Sequence, residues 1–273
     1  MNLSAQHNTS LTIGELIDYL TSRGPAVSPT VDKLLYGEPD TTITSVAVTF
    51  LATQSVIKQA AELGANLIIS HEHPYYNHNG MQHEQWKEDA VAQNKHLSIM
   101  ESGIAIFRYH DHCHREQIDL ITDGLVHQLE WEPYMEQRLP AASIAVLPSM
   151  SAADIAEHIK HTLRIPYVRL IGDPSQACSR VAITVGYRGG GNVVLPLLRE
   201  QRVQLVIAGE GPEWEAPEYV RDAREQGLDY SMIMLGHAES EAPGMRYIAQ
   251  LLAEQFPHIA VHTLIDKPLY AIL

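Results

Sequence analysis

Residues 66–72 have the sequence Asn-Leu-Ile-Ile-Ser-His-Glu, and this stretch decides the class of fold. Its apolar run predicts a buried strand, with side chains of the metal-ligand type directly after it. The arrangement recurs twice, because the run at 104–109 is followed by His110 and the run at 231–235 leads to His237. Segments with helical spacing lie between these runs. The alternation predicts an α/β protein with largely parallel sheets.

The predicted strands also indicate where a ligand would bind. In parallel α/β sheets, ligands bind in the crevice beyond the carboxyl ends of the strands. Histidines and carboxylates follow three of the predicted strands at that end. We therefore expect residues that are far apart in sequence to share one crevice. The segments Glu132-Pro133 and Leu139-Pro140 indicate the start of a second α/β unit.

The composition of the 273-residue chain is that of a globular protein, with 45% hydrophobic and 19% charged residues. Its net charge of −14 disfavours non-specific binding to nucleic acid or to an anionic membrane. No apolar run approaches the roughly 20 residues that span a bilayer, and the N-terminus does not have the features of a signal peptide. Two cysteines give no disulfide framework. We expect a soluble, cytoplasmic protein with no membrane partner.

Histidine is the unusual component, since the chain contains 15. Eight of them fall in one stretch of the chain: His71, His73, His78, His83, His96, His110, His112 and His114. Imidazole is the commonest metal ligand in proteins. The clustering therefore points to metal chemistry.

The first candidate cluster begins at the end of the strand predicted within 66–72. Successive side chains of an extended segment point in alternate directions. His71 and Glu72 could therefore serve two neighbouring metals, or His71 and His73 could serve one. The competing interpretation is a polar loop with surface histidines.

The second candidate cluster is the sequence His-Asp-His-Cys-His at 110–114. Four of its five side chains can bind a divalent metal, and the mixture of nitrogen and oxygen donors suits Zn, Fe, Mn, Co or Ni better than Ca or Mg. The competing interpretation is a solvated loop. We interpret Cys113 as a small buried residue.

The third candidate cluster lies at 236–245, near the end of the chain. His237 and Glu241 are four residues apart, so on a helical turn they share one face and could supply two ligands. Alternatively, Ser240 or Glu239 caps the helix, with Glu241 favoured near its positive end.

Two further loops are weaker candidates. Residues 186–192, Gly-Tyr-Arg-Gly-Gly-Gly-Asn, lie between a predicted strand and a predicted helix, where phosphate-binding loops occur. They match neither the dinucleotide fingerprint nor Walker A, so both anion binding and a flexible turn are open. Glu210 and Glu213 follow another predicted strand and could face the same crevice, although a surface turn is the simpler interpretation for Glu213.

Four segments in order resemble a known family: residues 67–72, the histidine-rich stretch after 104–109, Gly209-Glu210 and residues 236–241. They resemble the Nif-three-like family of dinuclear-metal proteins, often labelled GTP cyclohydrolase I type II. The final His-x-x-Ser-Glu is the most specific element, and the resemblance extends from about Ile13 to Leu264. It implies two α/β lobes, a pair of divalent metals in the cleft between them, and a toroidal homohexamer built from dimers.

The resemblance further implies where the lobes and the ligands lie. The first lobe would comprise residues 1–132 and 230–273 and carry the metal ligands, and the second would comprise residues 133–229. The implied ligands are His71, Glu72, His114, His237 and Glu241.

The chain departs from the family pattern at two positions. The family usually has two adjacent histidines where this chain has His71-Glu72, and a metal-bridging aspartate where it has His114. Asp111 supplies that carboxylate instead if the loop is shaped differently, and His73 is a reserve ligand if the register shifts by two residues. Glu72 in place of a histidine and His114 in place of an aspartate together keep one imidazole and one carboxylate. The charge near the metals is therefore similar, while the metal preference can differ.

Three functional hypotheses follow. The first is a metal-dependent hydrolase for a small-molecule substrate of the nucleotide or phosphoester class, in which two metals activate water and Glu210 moves protons. The second is a non-catalytic metal-binding scaffold or metal chaperone. The third is a nucleotide-binding module that uses the glycine loop at 189–191.

Overall fold

The computed structural model describes residues 10–80 and 87–272. The strands are β1 (Lys33–Tyr36), β2 (Ser45–Leu51), β3 (Leu67–Glu72), β4 (Ala105–Arg108), β5 (Met135–Leu139), β6 (Ala142–Ser151), β7 (Arg169–Ile171), β8 (Ala177–Ile183), β9 (Leu205–Ala208), β10 (Ser231–Met234) and β11 (Ala260–Thr263). The helices are α1 (Ile13–Thr21), α2 (Gln54–Glu62), α3 (Ala90–Ser102), α4 (Asp111–Arg115), α5 (Leu120–Gln128), α6 (Ala152–Leu163), α7 (Gly191–Arg199), α8 (Ala216–Glu225) and α9 (His237–Gln255), with a 3₁₀ turn at Glu132–Tyr134.

The chain divides into two units, each built around its own sheet. The first comprises Met1–Gln117 and Ala249–Leu273, and the second comprises Ile118–Ile248. Strands and helices alternate in both, which confirms the predicted α/β class. The division differs from the expected lobes, because β10 pairs with β9 and β7 in the second sheet.

The first sheet has the strand order β1-β4-β3-β2-β11. Strands β4, β3, β2 and β11 are parallel, and β1 is antiparallel at the edge. The apolar run of β3 is fully buried, which explains why its sequence is continuous rather than alternating. Because Ser70 pairs with Arg108, the carboxyl ends of β3 and β4 lie side by side.

The helices of the first unit begin where the sequence supplies a cap. Thr12 and Glu15 form the predicted capping box of α1. The polar sequence of 82–95 predicts a helix, but α3 begins at Ala90 behind the Asp89 cap. Residues 81–86, with His83, lie outside the described residues.

The second sheet has the strand order β5-β6-β8-β9-β10-β7. Strands β8, β9 and β10 are parallel and form its centre, while β5, β6 and β7 pair antiparallel. The carboxyl ends of the central strands therefore share one edge, from which the loops at 186–191 and 209–215 and the helix α9 begin.

The sequence predicts a last helix over about 245–254, but α9 begins eight residues earlier, at His237. Pro243 and Gly244 resemble a helix break in sequence, yet the helix continues through both. The close approach of α5 explains the glycine, since a Cβ at position 244 would lie 2.5 Å from the Cα of Ile121. Over residues 10–80 and 87–272, no helix is long and apolar enough to cross a membrane.

Candidate metal centre

Three imidazoles meet at the carboxyl edge of the first sheet. His71 lies at the end of β3, His110 follows β4, and His114 lies in α4. The ring centroids of His71 and His110 are 4.5 Å apart, and both lie within 5.2 Å of that of His114. One donor nitrogen of each ring lies within 4.8 Å of the others, which is close enough for a shared metal ion. The clusters after β3 and β4 thus come together, as their parallel pairing requires.

The backbone orients the His71 ring, which is fully buried. Its Nδ1 lies 3.1 Å from the carbonyl oxygen of Tyr109. A proton on Nδ1 satisfies that carbonyl and makes Nε2 the nitrogen that can bind a metal.

A second donor group overlaps the first. Ligand atoms of Glu72, His78 and His110 also lie within 4.8 Å of one another. Glu72 Oε1 is 3.6 Å from His110 Nε2, and Oε2 is 3.9 Å from His78 Nδ1. His110 therefore belongs to both groups. Donor atoms of the adjacent residues His71 and Glu72 also lie within 4.8 Å of each other, so the two residues could serve one ion or two.

Arg108 is a member of this centre that the sequence analysis did not propose. Its side chain is 1% exposed, and Nη2 donates to Glu72 Oε2 at 3.1 Å. The guanidinium also contacts the backbone carbonyls of His71 and His78. A buried arginine requires such partners, so an arginine inside the otherwise apolar run at 104–109 was the signal that could have identified it.

Asp111, the predicted alternative carboxylate, makes local contacts. Its Oδ2 accepts from the backbone N–H of Val31 at 2.8 Å, and its Oδ1 lies 3.0 Å from Nδ1 of His110. Burial acts to raise the pKa of Asp111, but hydrogen bonds from Val31, His110 and Thr30 outweigh it and lower the pKa to about 2. Among the described residues, this carboxylate lies outside both donor groups.

The other polar residues of these two segments have structural partners. His73 Nδ1 accepts from the N–H of Tyr75 at 3.1 Å, and His112 Nδ1 lies 2.7 Å from Asp32. Cys113 is fully buried, as expected for a small residue, and its thiol donates to the His110 carbonyl at 2.9 Å. The segment 111–115 is a short helix rather than the loop of the competing interpretation.

The second unit carries its own histidine and carboxylates. His237 begins α9; its Nε2 lies 3.1 Å from Glu241 Oε2, one turn along the helix, and its Nδ1 lies 2.9 Å from Glu210 Oε1. Burial acts to lower the pKa of His237, but the two glutamates outweigh it and raise the pKa to about 9. The three side chains form a carboxylate–imidazole–carboxylate row. A carboxylate on one ring nitrogen, as Glu210 is on Nδ1 of His237, is the partner that orients metal-binding histidines.

Gly186 makes room for this row. Its φ is +55°, and a Cβ there would lie 2.1 Å from Glu241 Oε1 and 3.2 Å from His237 Nε2. The backbone N–H of Gly186 donates to Ser240 Oγ at 2.9 Å. Ser240 therefore ties the loop to α9 rather than capping the helix, whose first residue is His237.

The glycine loop at 186–191 already has a carboxylate at the start of α7. Glu215 Oε2 accepts from the N–H of Gly191 at 2.7 Å, at the position where a phosphate would bind. Glu213 lies in an exposed ion pair with Arg169, which agrees with a surface turn. The loop geometry thus disfavours the nucleotide-binding module.

Comparison with known proteins identifies the family. The model of Duf34/NIF3 (NGG1p interacting factor 3) matches residues 31–268. The GTP cyclohydrolase 1 type 2 homolog of Clostridium perfringens is 24% identical over 230 residues, which cover 81% of this chain and 82% of its own length. The corresponding homolog of Clostridium acetobutylicum is 21% identical over 239 residues, 84% of each chain.

Solved structures share the fold. A Bacillus cereus protein related to NIF3 superposes with a TM-score of 0.77 at 14% identity, over 97% of this chain and 99% of its own. Reduced HcgD from Methanocaldococcus jannaschii gives a TM-score of 0.70 at 16% identity, over 94% and 98% of the two chains. Because the family model matches most of the sequence, this chain belongs to the Duf34/NIF3 family.

Proposed function

We propose that this protein binds two divalent metal ions and hydrolyses a small-molecule substrate of the nucleotide or phosphoester class. The observation that carries the proposal is the overlap of two donor groups at His110, one with His71 and His114 and the other with Glu72 and His78. Two donor groups this close together would hold two neighbouring ions, as in two-metal sites. Because one ring nitrogen binds one ion, His110 would serve one of the two.

The chemistry of the donors supports a transition metal. The groups combine imidazole nitrogens with a carboxylate, which suits Zn, Fe, Mn, Co or Ni. In the first unit, His71, Glu72, His110 and His114 would hold the metal. In the second, His237 and Glu241 would add one imidazole and one carboxylate.

Bound divalent cations would supply Lewis-acid polarisation of the scissile group and a more acidic water. The chain's own residues prepare the site. Glu210 holds the proton on Nδ1 of His237, which directs Nε2 toward a metal. With its side chain 46% exposed, Glu210 could also exchange a proton with substrate. Arg108 donates to Glu72 Oε2 and balances the charge of this carboxylate.

The name of the two clostridial relatives supports a nucleotide substrate. Opening a purine ring at a C–N bond and cleaving a phosphoester are both hydrolyses that a pair of metals assists. We therefore place both substrate types in the first panel to be tested.

The test combines metal counting with turnover. Protein loaded separately with Zn, Mn, Co, Ni or Fe(II) should contain two ions per chain and hydrolyse at least one nucleotide or phosphoester. The variants His71→Ala and His237→Ala should each lose metal and activity. His161→Ala, which removes an exposed histidine of the second unit, should behave as wild type.

Each outcome has a clear meaning. Two ions without turnover in any arm would replace the hydrolase with the non-catalytic metal scaffold or chaperone. No metal retained by the wild type would reject the metal-binding function itself. Loss of metal from His71→Ala but not from His237→Ala would exclude the second unit from the ligand set.

A further inference from the structure

We propose that Asp32 is a positioning residue, which fixes the direction of the imidazoles of His110 and His114; this role rests on the proposed metal-binding function. Asp32 precedes β1 and is far from the histidine-rich segments in sequence. Its side chain is only 2% exposed. A carboxylate so deeply buried requires strong hydrogen-bond donors.

Four donors converge on its two oxygens. Oδ1 accepts from the backbone N–H groups of His110 and Asp111, both at 2.7 Å. Oδ2 accepts from the N–H of His112 at 2.9 Å and lies 2.7 Å from His112 Nδ1. These contacts occupy the carboxylate, so Asp32 orients the metal-binding segment rather than binding a metal itself.

The segment needs such an anchor. Helix α4 has five residues, and a helix this short is not stable alone. His110, which precedes it, makes no side-chain capping hydrogen bond. Asp32 takes over that role from a distant part of the chain. In return, Asp111 Oδ2 accepts from the N–H of Val31, so the two segments are tied in both directions.

Asp32 positions the metal-donor atoms because the imidazoles of His110 and His114 both extend from the turn of backbone that it binds. His110 belongs to both donor groups and His114 to one. A rotation of α4 would displace both rings relative to His71, which β3 holds separately. Loss of partners behind metal ligands typically lowers metal affinity about 10- to 100-fold.

The experiment uses Co²⁺ as the probe, because its visible absorption reports ligand geometry. The variant Asp32→Asn keeps the size of the side chain but turns an NH₂ group toward backbone donors. We expect about 10- to 100-fold weaker Co²⁺ binding and altered visible bands. Asp32→Glu, which restores the charge, should recover part of the affinity. Asp40→Asn removes an exposed carboxylate of the same unit and should match wild type.

A measurement without metal separates positioning from general damage. Amide hydrogen exchange of the metal-free protein should speed up at 110–112 in Asp32→Asn, while β3 and α2 stay protected. If Asp32→Asn binds Co²⁺ with the wild-type affinity and spectrum, the role of Asp32 is wrong and the proposed function stands. If the wild type takes up no Co²⁺, the proposed function fails and the positioning role fails with it. Faster exchange throughout the unit would make Asp32 merely structural and overturn the proposal.

Discussion

Lys95 shows how burial of one side chain sets a pH dependence. Its side chain lies in the core of the first unit, where its ammonium donates to the carbonyl of Pro74 and lies 5.3 Å from the ring centroid of Tyr76. Burial lowers the pKa of Lys95 from 10.5 to about 8. Below pH 8 the amine is charged in both states, so the folded state bears the full cost of burying it.

We predict that Lys95→Met stabilises the protein at pH 7 and that this advantage disappears as the pH rises to 10.5. Between these two pKa values the unfolded chain binds more protons, so the stability of the wild type rises with pH. The gain is on the order of 3 kcal/mol before the lost hydrogen bond is subtracted. Urea unfolding from pH 7 to 10.5 measures the difference. Lys58→Met, at a side chain that is 79% exposed, should show no such trend.

The pairing of Arg108 with Glu72 leads to a second prediction. Arg108→Met should lower the free energy of unfolding by about 3 kcal/mol, because it leaves Glu72, itself only 18% exposed, without its cation. A double-mutant cycle with Glu72→Gln should give a coupling of about 1–3 kcal/mol. The comparison is Arg138→Met, which breaks a pair whose arginine is 40% exposed and should cost less than about 1 kcal/mol. Equal losses at the two arginines would contradict the buried pairing.

At the scale of elements, α5 and α9 approach so closely that glycines are required. A Cβ at Gly124 would lie 2.5 Å from the Cα of Gly244. Gly124→Ala should therefore destabilise the second unit by about 1–3 kcal/mol, although alanine normally stabilises a helix. Thermal unfolding measures this. Gly64→Ala is the reference: its Cβ would meet nothing within 4 Å, so it reports the cost of a positive φ alone.

The elements also show what the sequence could predict. Segments with strong periodicity and caps are predictable. The sequence predicts a helix over 152–163, which matches α6, and a strand within 66–72, which corresponds to β3. Helix α9 was predicted too short because Pro243-Gly244 usually ends a helix, and only packing against α5 explains its continuation. The edge strands β1 and β5 were not predicted, since they are short and lack a clear apolar face.

The candidate site was predictable to the same degree. Histidines and carboxylates at strand ends are visible in sequence, which identifies the three candidate clusters. The particular set His71, Glu72, His114, His237 and Glu241 rests on the family resemblance. The contribution of Asp32 could not be predicted, because hydrogen bonds between distant segments leave no local pattern. For Arg108 the only local signal is its position inside an apolar run.

At the scale of the whole molecule, metal should stabilise the fold. A ligand that binds only the folded state at 100 times its Kd adds about 2.7 kcal/mol for each independent site. We predict that Zn²⁺ raises the midpoint of thermal unfolding and that a chelator reverses the effect. His114→Ala should reduce the shift, whereas His161→Ala should leave it unchanged. An unfolding midpoint that does not change when Zn²⁺ is added would contradict the metal site.

We also expect the chain to assemble into a homohexamer, as the family resemblance implies. Sedimentation equilibrium should then give six times the 30.4-kDa mass of the chain. Because each chain carries a net charge of −14, the measurement belongs at physiological salt, where repulsion between copies is screened. A monomeric mass under these conditions would reject the hexamer.

Because Gly186 has no side chain, one small substitution there can disturb the row of Glu241, His237 and Glu210. A methyl group there would collide with Glu241 and lie close to His237, while the strain of alanine at a φ of +55° is about 1–2 kcal/mol. If the proposed function is right, Gly186→Ala should therefore keep native circular dichroism but bind less metal than the wild type. Expressed in cells at normal abundance, this metal-binding-deficient variant would separate phenotypes that depend on the metal from those that depend only on the presence of the polypeptide.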